Sequence, residues 1–396
     1  MAGDFWALMG KYDRPGLLWN KTGYPAPYGN RDFAAPSAVS ARNTQRERGC
    51  LPNDNSSCHF EYPSLSESKR MKLKRYLLVA LAAACQSIAP AFAQDWPTQP
   101  VRIIVPFAAG GGTDGMARLV ADELSRQLSQ SFVIENRPGA GGISGTDAVV
   151  RSRKDGHTIL FTTPSLAYSK LQFSKLPYDP EADLTPAALV GYAPYVMVAN
   201  NDFPARDPKS LVAMLKAAPG KYDFGSAGVG TATHFVFELF LATGGDLKLT
   251  HVAYKGSPAA MTDLIAGNIP LLIDPASGVM PYATSGRVRP IGVTSSNRLA
   301  GLPNVPTFKE AGFPELEVYG WYMTLVPTGT PEAVVRKISA AVRKVVTSPA
   351  ISKKMADVNV DVPPESASTP EGSAKFLASE FTKWTAVAKR AGIKPQ

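Results

Sequence analysis

Beyond Ala93 this 396-residue sequence contains no cysteine; its three, Cys50, Cys58 and Cys85, all lie earlier. A disulfide scaffold, a thiolate metal site and a cysteine nucleophile are therefore excluded from residues 94–396. Histidine is nearly as scarce there, limited to His157, His234 and His251, none at a metal-ligand spacing such as His-x-x-x-His. Long apolar runs are missing too: nothing after residue 93 approaches the ~20 apolar residues of a membrane span. A charge excess is also lacking. Positions 1–93 hold 12 Lys+Arg and 7 Asp+Glu, so 30 and 26 of the chain's 42 and 33 remain beyond them, and the net charge drops from +9 to +4. That balance does not supply the dense basic face that nucleic acid requires, so no nucleic-acid partner is expected.

What is present begins with an export pattern. Met71-Lys72-Leu73-Lys74-Arg75 is a basic start, residues 76–84 are apolar but too short to span a bilayer, and Ala91-Phe92-Ala93 is a small-x-small box. These three parts make residues 71–93 a secretory signal peptide, with cleavage expected after Ala93. Cys85 raises a lipoprotein alternative, but Ala82-Ala83-Ala84 lacks the leucine usual at the first of those positions. Residues 1–70 are polar, turn-rich and aperiodic, and lie upstream of where an export signal should begin. They are expected to be a miscalled start or a disordered extension. The remaining ~300 residues are enough to build a core without disulfides.

The next 15 residues, 101–115, organise the rest. Arg102-Ile103-Ile104-Val105 reads as a strand buried on both faces, and Pro106 ends it. Gly110, Gly111 and Gly112 follow, then Thr113 and Asp114 in front of a helical pattern from Met116 to Leu124. A strand, a glycine turn and a helix start offer unpaired N–H groups at the positive end of a helix dipole, which suits an anion. Gly110-x-Gly112-x-x-Gly115, with Glu135 closing the next strand, also fits a dinucleotide fingerprint. The glycines alone fit an ordinary tight turn equally well.

The chain then alternates strand and helix. Strands are expected at 131–136, 157–162, 184–190 and 195–199, with a second glycine turn at 137–145 and a hydroxyl loop at Thr163-Pro164-Ser165. A second strand–glycine–hydroxyl unit occupies 223–234, containing Ser226, Gly228, Gly230, Thr231, Thr233 and His234, before a helix at 235–242. Strands at 249–254, 269–273 (ending at Asp274) and 288–294, then a returning strand at 317–326 and helices at 332–346 and 370–391, complete the pattern. Alternation of this kind predicts parallel sheets flanked by helices, with ligands beyond the strands' carboxyl ends. Two anion-suited loops predict two domains facing each other across a cleft.

Six stretches carry a resemblance. They are PFAAGGGTDGMAR from 106, ENRPGAGGISGTDAV from 135, DFGSAGVGTATHF from 223, HVAYKGSPAAMTDLIAGNI from 251, VTSSNRLAGLPNVPTFKEAGFP from 293 and FTKWTAVAKRAGIK from 381. Together they resemble the extracytoplasmic solute receptors of tripartite tricarboxylate transporters, the Bug or TctC type, across essentially all of 94–396. The resemblance implies an α/β, two-domain periplasmic binding protein of type II-like architecture. Each domain would be a mostly parallel sheet flanked by helices, joined by crossing strands: 94–195 plus 320–396, and 196–319. It implies a periplasmic monomer without cofactor or metal, whose partners are a small carboxylated solute and the membrane permease subunits. The loop from Phe107 and Ala108 through Gly110, Gly111, Thr113 and Asp114 would reach the carboxylate, as would that from Ser226 to His234. Departures fall at Ala253, where the family commonly has proline, at Asp274-Pro275-Ala276-Ser277-Gly278, and in the variable loop from Thr163.

On this reading Thr163 and Ser165 add hydroxyl contacts, and Asp274 and Ser277 read the ligand body. Several of the candidate residues have a plainer alternative. Asp114 suits a helix-start charge that fixes its loop, Thr231 and Thr233 suit helix caps, His234 suits a packed residue, and Asp274 suits a hinge hydrogen bond. A nicotinamide cofactor is not expected in an exported protein, which counts against the dinucleotide reading. Catalysis finds little support, since Gly225-Ser226-Ala227-Gly228 misses the Gly-x-Ser-x-Gly elbow by one position. The rivals left standing are an exported α/β enzyme acting on a small acid and a solute sensor.

Overall fold

A computed structural model describes residues 96–391 apart from residue 246. The expected signal peptide, its cleavage point and the 1–70 extension lie outside the described residues. Nine strands form one sheet: β1 (Val101–Val105), β2 (Phe132–Asn136), β3 (Thr158–Thr162), β4 (Leu184–Ala199), β5 (Asp223–Ser226), β6 (Thr250–Ala253), β7 (Leu271–Pro275), β8 (Arg289–Val293) and β9 (Tyr319–Pro327). Their order is β2-β1-β3-β9-β4-β7-β5-β6, with β8 also paired to β4. β1 runs parallel to β2 and β3, and β5 runs parallel to β6 and β7, while β9 and β4 are antiparallel to their neighbours.

β4 differs from expectation. Two strands separated at Gly191–Pro194 are in fact one of 16 residues. Its first part, Leu184 to Pro194, pairs with β9, and its last part, Tyr195 to Ala199, pairs with β7 and with β8. Glycine and proline there read as a break, but the irregularity is absorbed as register shifts at Pro186/Ala188 and Leu189/Gly191. One strand thereby carries the chain from one part of the sheet to the other.

Helices cover the sheet. They are α1 (Gly112–Leu128), α2 (Ile143–Val150), α3 (Ser165–Gln172), α4 (Pro208–Ala217), α5 (Ala232–Thr243), α6 (Ser257–Ala266), α7 (Ala276–Thr284), α8 (Glu332–Val346), α9 (Pro349–Asp357) and α10 (Pro370–Ala391). α8 has the bounds its sequence predicts, with Pro331 in front of it and Val334, Ile338, Val342 and Val345 on its buried face. These pack with Ile103, Val105 and Met116 in one apolar cluster, and Leu264, Leu272, Val279 and Val293 anchor a second around β7. α3, α7 and α9 are additions to the expected pattern. Gly278 and Pro281 disguise α7 as a turn-rich loop, and Pro281 stands inside the helix, where it lacks the N–H for one backbone hydrogen bond. In α10, Trp384 is fully buried, and its indole N–H and that of Trp321 both donate to Glu380 Oε2, at 2.8 and 3.0 Å.

Candidate functional site

Because β1, β3, β5, β6 and β7 each turn into a helix at their carboxyl ends, five helix starts gather around one cavity of about 490 Å3. α1 contributes Gly112 and Thr113 and the preceding Phe107, Ala108 and Gly111; α3 contributes Ser165 and the preceding Thr163. Gly228, Thr231 and Thr233 come from the start of α5, Lys255, Gly256 and Ser257 from that of α6, and Asp274 from the end of β7. The second glycine turn adds residues 138–142, and Tyr195 enters from the middle of β4. Lys255 and Asp274 are the charged side chains on this wall. Among the described residues no group of three or more His, Cys, Asp or Glu converges to hold a metal.

Of the residues picked out in the sequence, Phe107, Ala108, Gly111, Thr113, Thr163, Ser165, Gly228, Thr231, Thr233 and Asp274 lie on the cavity wall. Gly110, Asp114, Ser226, Gly230, His234 and Ser277 do not, and each has a physical reason. Asp114 is buried and accepts from the Gly110 N–H, Arg118 Nε and Asn136 Nδ2, all at 2.9 Å. Asn136 Nδ2 also donates to the Phe107 carbonyl. Burial opposes the Asp114 charge, but donation from Arg118, Gly110 and Asn136 outweighs it and holds the carboxyl below its usual range. Asp114 therefore clamps the glycine turn from behind, which is the plainer of its two expected roles.

The second loop is braced by its own hydroxyls. Thr231 Oγ1 accepts from the His234 N–H at 3.4 Å and donates to the Gly228 carbonyl at 2.7 Å; Thr233 Oγ1 accepts from the Ala227 N–H at 3.0 Å. Ser165 Oγ accepts from the Ala232 N–H at 2.9 Å, which ties α3 to the first turn of α5. Two first-turn N–H groups of α5 are thus already engaged, whereas those of Gly112 and Thr113 in α1 have no partner within their helix. Beneath the loop, Ser226 Oγ sits 2.7 Å from His251 Nε2, and His234 stacks on His251 at 4.1 Å. Burial holds both imidazoles down, His234 to about 4 with His251 as the lesser cause. Gly230 turns away to pack on Gly141, and Ser277 Oγ is engaged 2.7 Å from the Tyr322 hydroxyl.

The sequence reading gave no site role to Tyr195, Ser257 and Lys255, and left the second glycine turn without one. Lys255-Gly256-Ser257-Pro258 carried a usable signal, a strand leading through glycine into a helix start. Tyr195 carried none, because nothing local distinguishes it from a core strand residue. Asp274 is 2% exposed, and Ser257 Oγ donates to its Oδ1 at 2.5 Å. Among the described residues, what the arrangement offers a ligand is backbone, hydroxyls and one carboxyl, in a cavity with a single basic side chain.

Residues 116–393 match the family described as tripartite tricarboxylate transporter family receptor. The fold is that of an α/β periplasmic binding protein, similar to BugD at a TM-score of 0.73 and 32% identity over 76% of this chain and 100% of BugD. Two proteins of Rhodopseudomonas palustris are similarly close. Rpa4515, solved with adipate, aligns at 0.72 and 32% identity over 76% of this chain and 100% of its own. MatC, solved with bound malate, aligns at 0.70 and 30% identity, covering 74% and 99%.

Proposed function

The chain belongs to the tripartite tricarboxylate transporter receptor family, and from that premise we propose that it captures a small carboxylated solute by closure of two domains and delivers it to membrane permease subunits. The family is one of solute receptors, which decides against the exported enzyme. The observation that carries the carboxylate reading is the convergence of five helix starts and two glycine turns on one cavity. First-turn N–H groups of α1 neutralise a carboxylate without a salt bridge, and the Ser165 hydroxyl, whose oxygen accepts from Thr163 and from the Ala232 N–H, adds a donor. The adipate and malate held by relatives support an acid of this size.

Residues 94–195 plus 320–396 and residues 196–319 act as the two closing bodies, with the strands β4 and β9 between them. The protein works in the periplasm as a monomer after cleavage at Ala93. Thermal unfolding of the purified protein against a panel of such acids tests the reading. A solute bound by the folded state alone adds ~2.7 kcal/mol at a hundredfold excess over its dissociation constant. A raised midpoint with one class of acid, recovered unchanged, supports capture. No shift with any member refutes the carboxylate site. Co-purification with a permease separates transport from sensing.

A further inference from the structure

Among the described residues Asp274 is the one acid on the cavity wall, and no cation among them is paired with it. It stands near the end of β7 opposite Val196 of β4, almost fully out of water. From α6 it receives the Ser257 hydroxyl. From β4 the Tyr195 phenol, and from β9 the Tyr322 phenol, are close enough to feel its charge. Towards α7 its Oδ2 lies 2.6 Å from where a Cβ on Gly278 would stand, so backbone covers it there. Among the described residues no ion pair joins it to Lys255, the only base on the wall.

A carboxyl removed from water without a neighbouring cation favours its neutral form, and an arriving carboxylate strengthens that preference by like-charge repulsion. We propose that Asp274 meets the solute as a neutral carboxylic acid, so that the cavity selects oxygen acceptors over ammonium groups and takes up a proton together with its anion. The inference rests on the carboxylate-capture reading and deepens it: the preferred class is hydroxy- or unsubstituted dicarboxylates, not amino-acid dicarboxylates. In the free protein, burial pushes Asp274 up to about 7 against the smaller opposing effect of the Ser257 hydroxyl.

Two measurements on the purified protein test this. Carbon-detected NMR follows the Asp274 carboxyl through pH in the unliganded protein, assigned by its loss in Asp274→Asn. Calorimetry then compares malate with aspartate, which differ by a hydroxyl in place of an ammonium, in buffers of two ionisation enthalpies. The expected midpoint is near neutrality, moved further up in Ser257→Ala, which loses the donor to the charged form. Malate is expected to bind at least tenfold tighter than aspartate, with proton uptake and an affinity that falls as pH rises past that midpoint. A carboxyl titrating in the ordinary aspartate range, or tighter binding of aspartate, overturns the proposal. If neither acid binds, the capture reading fails for these solutes, and the NMR midpoint still decides whether Asp274 is neutral.

Discussion

Gly141 offers a perturbation whose size can be worked from geometry. It sits in the turn before α2 at φ 65°, and a Cβ placed on it would lie 2.8 Å from the Gly230 carbonyl carbon and 2.9 Å from its Cα and oxygen. All three atoms are backbone, so no side chain can rotate away. Ordinary contact begins near 3.4 Å, and the turns before α2 and α5 must part by roughly half an ångström or more. Gly141→Ala therefore carries two costs: about 1 kcal/mol for a left-handed alanine, and about 1–3 kcal/mol for the overpacked contact. If that contact forms as the cavity closes on its solute, the second cost falls on binding. At 1.4 kcal/mol per tenfold, the dissociation constant rises roughly 5- to 150-fold. Gly220→Ala is the control, since Gly220 has φ 73° and nothing within 4 Å of an added Cβ. It should lose about 1 kcal/mol of stability and keep wild-type affinity. Urea unfolding gives the stabilities, and calorimetric titration with the best acid of the panel gives the affinities. Wild-type affinity in Gly141→Ala would refute the argument that this seam closes with binding.

Two further outcomes are expected. Asp114→Ala leaves the Gly110 N–H and the Asn136 amide without their acceptor, for a loss of about 2–4 kcal/mol in urea unfolding at neutral pH. Because its carboxyl is held low in the fold, this contribution exists above the unfolded value and disappears as pH falls through the folded one; a variant as stable as wild type at pH 7 counts against the clamp. His234 behaves in the same direction for the opposite reason. The unfolded imidazole takes a proton near 6.5 and the folded one only at about 4, so stability is lost as pH falls between them, by about 3 kcal/mol at most. His234→Gln should have a less positive slope than wild type over that window, and equal slopes refute it; the difference between the curves is the readout, because buried Asp274 tilts both the other way.

Much of the fold was legible because the signals were local. Ile103 and Ile104 mark a strand buried on both faces, Pro331 marks a helix start, and the spacing of Val334, Ile338, Val342 and Val345 marks the buried face of α8. Helices α3 and α7 were hidden by Pro164, Gly278 and Pro281, residues whose local preference is to break a helix. Within the site, the first glycine turn and the hydroxyls of Thr163, Ser165, Thr231 and Thr233 were legible from strand–turn–helix punctuation. Asp114 and His234 were correctly located in their loops, but which way each faced was not written locally.

The sequence by itself determined the succession of strands, glycine turns and helix starts, and with it the family resemblance, since each rests on neighbours within a few residues. Tertiary structure alone decided which turns meet. Gly141 reaches Gly230, Ser165 caps the first turn of α5, Ser257 reaches Asp274, and Tyr195 enters the wall because β4 runs on through Gly191 and Pro194. Each of these depends on strand order and on the separation of two backbones far apart in sequence. No run of adjacent residues encodes that distance, so the charge state of Asp274 and the seam at Gly141 become visible only once the sheet is assembled.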